Sequence, residues 1–245
     1  MPRPPGHGPN FERRRKEIID LSAQLFAKRG FAATGVREIC DTVGLAKGAL
    51  YYYIKSKENL LVEIQSSVLD PLLQISEQVS SMEGDPVVRL RLLSEALLDI
   101  ILKRLPHIWV YEHDYLQLSG PKREELLRQR RQFENVVARV IEEAIDADQF
   151  RDMSPQLATL QFLNMHNHTY QWIRPGGKWD APLLSREYCA TLFVGFGYPR
   201  RRLPSLEGKV ERFWRQHPPS EFADLGVLST EPDLHIREHA ALNAG

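Results

Sequence analysis

From Phe11 to Gly197 the apolar residues recur at three- and four-residue intervals, and nowhere do they alternate with polar ones between turns. That period puts an apolar stripe on a helix and leaves no strand from which to build a sheet, so the chain is predicted to be all-α. Glycine and proline punctuate the pattern. Gly30, Gly84-Asp85-Pro86, Pro106, Gly120-Pro121, Ser154-Pro155 and Pro175-Gly176-Gly177 each end a helix or begin one. Helices are expected at about 11–29, 36–42, 47–54, 58–81, 86–104, 106–118, 122–147, 155–174 and 182–196. The Pro- and Gly-rich residues 1–10 are expected to form a disordered arm, in which Arg3 suits a minor groove. Residues 199–245 lose the period and are expected to be a partly disordered extension with a short helix near 206–215.

Two of these helices are short and close together. Val36, Ile39, Cys40, Val43, Leu45, Leu50 and Tyr53 fit a small core between 36–42 and 47–54, with Gly44 at the tight turn that joins them. A helix over 47–54 is about 12 Å long and enters a major groove of about the same width. Lys47 and Gly48 open it, where side chains first reach base edges and a glycine lets the backbone approach. Tyr51 and Tyr52 follow a turn later, placed for phosphates or thymine methyl groups. Three consecutive tyrosines cannot all face one core, because each residue turns the helix by about 100°. Thr34 and Arg37, at the start of the preceding helix, are candidates for phosphate. Lys55 and Lys57 flank the exit, and Ser56 is placed to cap the next helix.

Charge supports this placement. The whole chain is neutral, yet residues 1–60 carry eleven Lys/Arg against six Asp/Glu, and the rest twenty-one against twenty-six. An anionic partner is expected to meet the N-terminal end only. The two cysteines, Cys40 and Cys189, have no metal-ligand spacing and are expected to be reduced thiols. His166 and His168, two residues apart on a helix, point away from each other and cannot share a metal ion. No apolar stretch is long enough to cross a membrane and no signal-peptide core opens the chain, so a cytoplasmic location is expected.

The N-terminal segment resembles the DNA-binding domain of TetR-family transcriptional regulators. The matching residues include Ile18-Ile19, Ala23, Leu25-Phe26, Gly30-Phe31, Thr34, Val36–Ile39, Val43–Leu45, Lys47–Tyr51, Tyr53 and Ser56–Leu60. Cys40 stands where alanine is usual, Ala46 where serine or threonine caps the recognition helix, and Tyr52 where histidine is common. The resemblance implies a three-helix helix-turn-helix domain over 11–57. An antiparallel helical bundle for ligand binding and dimerisation would follow over 58–198. It also implies a homodimer on a palindromic duplex DNA operator, paired through 155–174 and 182–196. Cys189 lies on the second of these helices, which leaves an intersubunit disulfide open beside a buried free thiol.

The body carries aromatic and polar residues beyond what a bundle core needs. Trp109, Tyr111, Tyr115, Phe133, Asn164, His168, Trp172 and Arg174 are the candidate ligand-binding residues, with Asn164, His168 and Trp172 four residues apart on one expected helix face. The segment His168–Gly177, followed by a helix ending near Gly195, resembles a branch of the family that senses acyl- or steroid-derived CoA thioesters, with Trp172 and Arg174 near the ligand and Arg174 suited to phosphate. The expected mechanism is repression, released when a small effector favours a dimer with the wrong half-site spacing. The helix at 58–81 is the expected lever. No enzyme activity, cofactor or metal is expected, because no phosphate loop or nucleophile elbow is present and Gly195-Phe196-Gly197 lacks a strand before it. A helical adaptor or scaffold, and an all-α enzyme acting on a CoA thioester, remain the alternatives on the residues alone.

Overall fold

The computed structural model describes residues 8–174 and 176–217, so Arg3 and most of the C-terminal extension lie outside the described residues. Among these residues there are ten α-helices and no strand. They are α1 (Pro9–Arg29), α2 (Val36–Val43), α3 (Lys47–Ile54), α4 (Lys57–Ser81), α5 (Pro86–Lys103), α6 (Leu105–His113), α7 (Gly120–Asp146), α8 (Pro155–Asn167), α9 (Ala181–Gly195) and α10 (Leu203–Gln216). No described helix is long and apolar enough to cross a membrane. The helices form two compact units, Met1–Asp70 with Arg104–Gln129, and Pro71–Lys103 with Arg130–Gly245.

In the first unit α1, α2 and α3 close over Ile18, Phe26, Ile39, Val43, Leu50 and Ile54, all buried. The apolar positions anticipated for this core are there, with Val36, Leu45 and Tyr53 partly buried against it. Leu60, Leu61 and Ile64 of α4 and Val110 of α6 extend the same cluster. Read in chain order, α6 would belong to the body; it packs on α1 instead. Buried His107 of α6 lies 3.1 Å from Asp20 of α1. Burial alone would raise the Asp20 carboxyl, but hydrogen bonds from His107 and Lys16 outweigh it and hold the group below its ordinary range.

Two helices end earlier than their period suggests. The stretch expected at 106–118 stops being α-helical at His113, and Tyr115–Gln117 form one 3-10 turn. Asp114 caps α6 and turns its carboxylate to the Phe31 amide, 3.3 Å away. The stretch expected at 155–174 stops at Asn167 and tightens into a 3-10 turn over His168–Gln171. Thr169 is buried there with its hydroxyl 3.0 Å from that of Tyr188. Asn164, His168 and Trp172 therefore do not share one helix face, a correction to the four-residue spacing.

The second unit is built around α5, which α8, α9 and α10 flank. Ser154 and Asp180 cap α8 and α9, accepting from Leu157 and Leu183 at 3.4 and 2.9 Å. Arg91 of α5 is 2% exposed. It donates to both Glu207 oxygens at 3.0 and 2.9 Å, to Glu95 at 2.7 Å, to Ser185 at 2.6 Å and to the Pro182 carbonyl at 3.3 Å. From there the hydroxyls relay inward. Ser185 donates to Ser94 at 2.7 Å, and Ser94 lies 2.6 Å from His166 Nε2. His166 Nδ1 is 2.6 Å from the Phe162 carbonyl, which can only accept, so Nδ1 carries the proton and Nε2 accepts from Ser94. Burial lowers His166 to about 4, which keeps it neutral. Cys189 is also enclosed, its thiol pushed up to about 11 by burial, so it is not placed for an intersubunit disulfide. At Gly197 (φ 98°) an added Cβ would meet the Arg151 amide nitrogen at 3.1 Å, and that amide donates to Phe196 at 2.7 Å.

Candidate nucleic-acid interface

The turn between α2 and α3 takes the form its glycine requires. Gly44 has φ 66° and ψ 38°, the left-handed region, and its amide closes α2 onto the Cys40 carbonyl. Leu45 donates to the same carbonyl at 3.0 Å, and Arg14 of α1 donates to the Val43 carbonyl at 2.5 Å. The C-terminal end of α2 is thus satisfied from two sides, which fixes the angle at which α3 leaves. At its other end Glu38 accepts from the Gly35 amide at 3.0 Å and pairs with Arg29.

With α2 fixed, α3 presents one face outward. Lys47, Gly48 and Ala49 are exposed, Tyr52 is 62% exposed, and Leu50 and Ile54 face the core. No side chain caps α3 at Ala46, so its first amides are available to an anion. The three tyrosines divide as their angles demand. Tyr53 packs on the core, Tyr51 is half-buried with Lys47 Nζ 5.9 Å from its ring centroid, and Tyr52 stands outward. Phe11 in the first turn of α1 stacks on Tyr53 at 4.8 Å and meets Tyr52 edge-on at 5.4 Å. Its role was not singled out from the sequence, because only the folded chain brings it beside the tyrosines.

Arg37 is exposed at the start of α2. Lys55 is exposed at the end of α3, where φ 61° and ψ −48° with Ser56 donating to Ile54 at 2.7 Å make a strained γ-turn that lifts it from the helix. Ser56 then caps α4, accepting from Asn59 at 3.0 Å. Two of the expected phosphate ligands stand differently. Thr34 is 1% exposed and its hydroxyl donates to the Gly30 carbonyl at 2.8 Å, so its side chain braces the turn instead of facing solvent. Lys57 donates to the Phe31 carbonyl and lies 4.1 Å from the centroid of that ring.

The candidate ligand residues fall into different settings. In the first unit Trp109 is exposed and stacked on His113 at 4.2 Å, while Tyr111 and Tyr115 lean on that unit's core. A cleft of about 260 Å³ opens there between α4 and the start of α7, bordered by Val62, Gln65, Leu118, Pro121, Lys122 and Leu126. In the second unit Phe133 is buried, whereas Asn164, His168 and Arg174 are exposed. Trp172 is also exposed and meets Trp179 edge-on at 5.6 Å. His166, between two of the candidates in sequence, is a core residue.

A compact helix pair that projects the outward face of its second helix into solvent, under an excess of positive charge, defines a helix-turn-helix DNA-binding protein. The family model for bacterial regulatory proteins, tetR family, matches residues 18–64, and that for the tetracyclin repressor-like C-terminal domain matches residues 83–196. The chain belongs to the TetR family: it is a transcriptional regulator and not an enzyme. The HTH-type transcriptional repressor KstR2 of Mycolicibacterium smegmatis is 28% identical over 74% of this chain and 90% of its own. The KstR2 repressor of Rhodococcus jostii is 28% identical over 76% and 92%. The solved structure of the ketosteroid transcriptional regulator KstR2 of Mycobacterium tuberculosis is similar at 28% identity and TM-score 0.70, covering 74% of this chain and 94% of that one.

Proposed function

We propose that this regulator is a dimeric repressor that holds a palindromic operator and releases it when a small, largely apolar effector binds, and that the effector class is an acyl- or steroid-derived CoA thioester. The observation that carries the DNA half of this reading is the outward face of α3. Lys47, Gly48, Tyr51 and Tyr52 contact the major groove, and Arg37 and Lys55 hold flanking phosphates. Repression is supported by the names of the KstR2 relatives. Such a protein works beside the chromosome, in the cytoplasm.

Pairing is supported by an apolar stripe left in solvent. Leu157 and Leu160 of α8 are 62% and 51% exposed, and Val194 of α9 is 40% exposed beside the small Thr191. Asn164, exposed four residues after Leu160 on α8, belongs to the pairing face by position more than to a ligand pocket. The CoA thioester reading is supported by exposed Trp172 and Arg174, an indole for the ligand's rings and a guanidinium for its phosphates. The cleft bordered by Gln65, within the first unit, is smaller than the roughly 300–1,000 Å³ of pockets that enclose drug-sized ligands, so it does not enclose a whole CoA thioester.

The test uses a duplex enriched from a random pool by the unaltered protein, titrated with steroid and fatty-acyl CoA thioesters. Release of the duplex by one of them, weakened in Trp172→Ala with duplex affinity unchanged, supports the effector reading. Release by none of them, or turnover of a thioester at stoichiometric protein, removes it and leaves DNA binding standing.

A further inference from the structure

We propose that Lys57 and Asp114 are positioning residues for DNA recognition, which clasp the backbone of Phe31 from two helices and so aim the α2–α3 pair, without touching DNA themselves. Phe31 sits in the turn between α1 and α2, just after Gly30 with its φ of 81°. A residue in such a turn has no helix to satisfy its backbone. Its amide donates to Asp114 Oδ2 at 3.3 Å, and its carbonyl accepts from Lys57 Nζ at 2.5 Å. The same carbonyl accepts from the Thr34 amide at 3.3 Å, three residues on. The Phe31 ring is held on both sides, edge-on against Phe26 at 5.3 Å and under the Lys57 ammonium. One residue thus links α4, which supplies Lys57, to the cap of α6, which supplies Asp114.

The state of the two charges agrees with this geometry. Burial lowers Lys57 below the ordinary lysine range, with Asp114 opposing the change. Burial raises Asp114 above the carboxylate range, against the Phe31 amide, His113 and Lys57. The Phe31 carbonyl takes one of the three donors of the ammonium and the ring lies against it, so an ammonium drawn away to phosphate leaves the turn without that brace. Phe31 lies five residues before Val36, where α2 begins, so a shift of this turn moves the start of the helix that carries Arg37 and, through Gly44, α3.

The clasp and a direct electrostatic role differ in sign. A carboxylate acting as a bare charge repels phosphate, so removing Asp114 would tighten DNA binding; in a clasp its removal loosens it. A lysine on phosphate adds about 0.9 to the slope of log affinity against log salt, whereas a clasping lysine adds nothing. The experiment measures full-length protein on its selected duplex between about 50 and 200 mM salt. Asp114→Ala and Lys57→Met each lower affinity about tenfold at every salt concentration with an unchanged slope, and Asp114→Asn, whose amide oxygen still accepts from Phe31, recovers most of the loss. Tighter binding by Asp114→Ala, or a slope flattened by about 0.9 in Lys57→Met, overturns the proposal. A folded fraction that is the same at both ends of the salt range, checked by circular dichroism, cancels from the slope, which then decides the matter even for a destabilised variant. Hydrogen exchange gives a second reading: in Asp114→Ala the Phe31 amide exchanges faster while the Leu50 amide of α3 keeps its protection. Unchanged Phe31 exchange in a folded variant also overturns the clasp.

Discussion

In the first unit Arg37, Lys47 and Lys55 stand in solvent, while in the second Arg91 is 2% exposed and every direction of its guanidinium meets an acceptor. The same chemistry serves two ends. A cation kept hydrated over a small apolar core is available to a polyanion. A cation taken out of water is committed to its own fold, and its partners are chosen by the tertiary structure: Glu207 lies on α10, beyond the residues matched by the C-terminal family model. Lys57 falls between the two extremes, half-buried and occupied by a turn.

The comparison breaks most readily at Arg91. Arg91→Ala leaves the half-buried Glu95 and Glu207 near each other without their counter-charge, and a loss of about 3 kcal/mol in denaturant unfolding is expected. A loss below about 1 kcal/mol would mean that the network is ornamental to stability. Next is His166, whose folded value of about 4 lies below its ordinary 6.5. The unfolded chain binds the extra proton first on acidification, so stability declines as pH falls from about 6.5 to about 4, by about 3 kcal/mol in all. Glu95 and Asp99 are raised by burial and contribute in the opposite sense, favouring the fold at low pH. The difference between the unaltered chain and His166→Gln isolates the histidine; equal pH profiles would show that it is not held neutral.

Smaller effects sharpen the contrast at the surface. Leu160→Asp on α8 is expected to weaken self-association by about 2 kcal/mol in sedimentation equilibrium while leaving the helical content intact. An unchanged dimer would move the pairing face elsewhere. Lys47→Ala is expected to weaken duplex binding about tenfold, or 1.4 kcal/mol, with no change in melting temperature. A lowered melting temperature would instead make Lys47 part of the fold.

What the sequence disclosed follows from how far apart the interacting residues are. The helix-turn-helix is local: Gly44, the stripe from Ile39 to Leu50 and the three tyrosines lie within one short segment, so period and turn chemistry locate it. Arg91 and Glu207 are 116 residues apart, and nothing in the spacing of either announces the other. Thr34 and Lys57 are plausible phosphate ligands by type and position, but their inward turns depend on Gly30 and Phe31. The early end of α8 depends on Tyr188, which reaches Thr169 from a later helix. Helical period alone ran the stretch on to Arg174.

Gly48 offers the most direct test of the claim that the outward face of α3 enters DNA. A Cβ added there meets nothing within 4 Å, so the free protein has room for a larger side chain. Replacing a helical glycine also favours the helix by about 0.5–1 kcal/mol. For Gly48→Leu the account predicts a melting temperature equal to or above that of the unaltered chain, together with loss of binding to the selected duplex. Retention of full duplex affinity by this folded variant would contradict it.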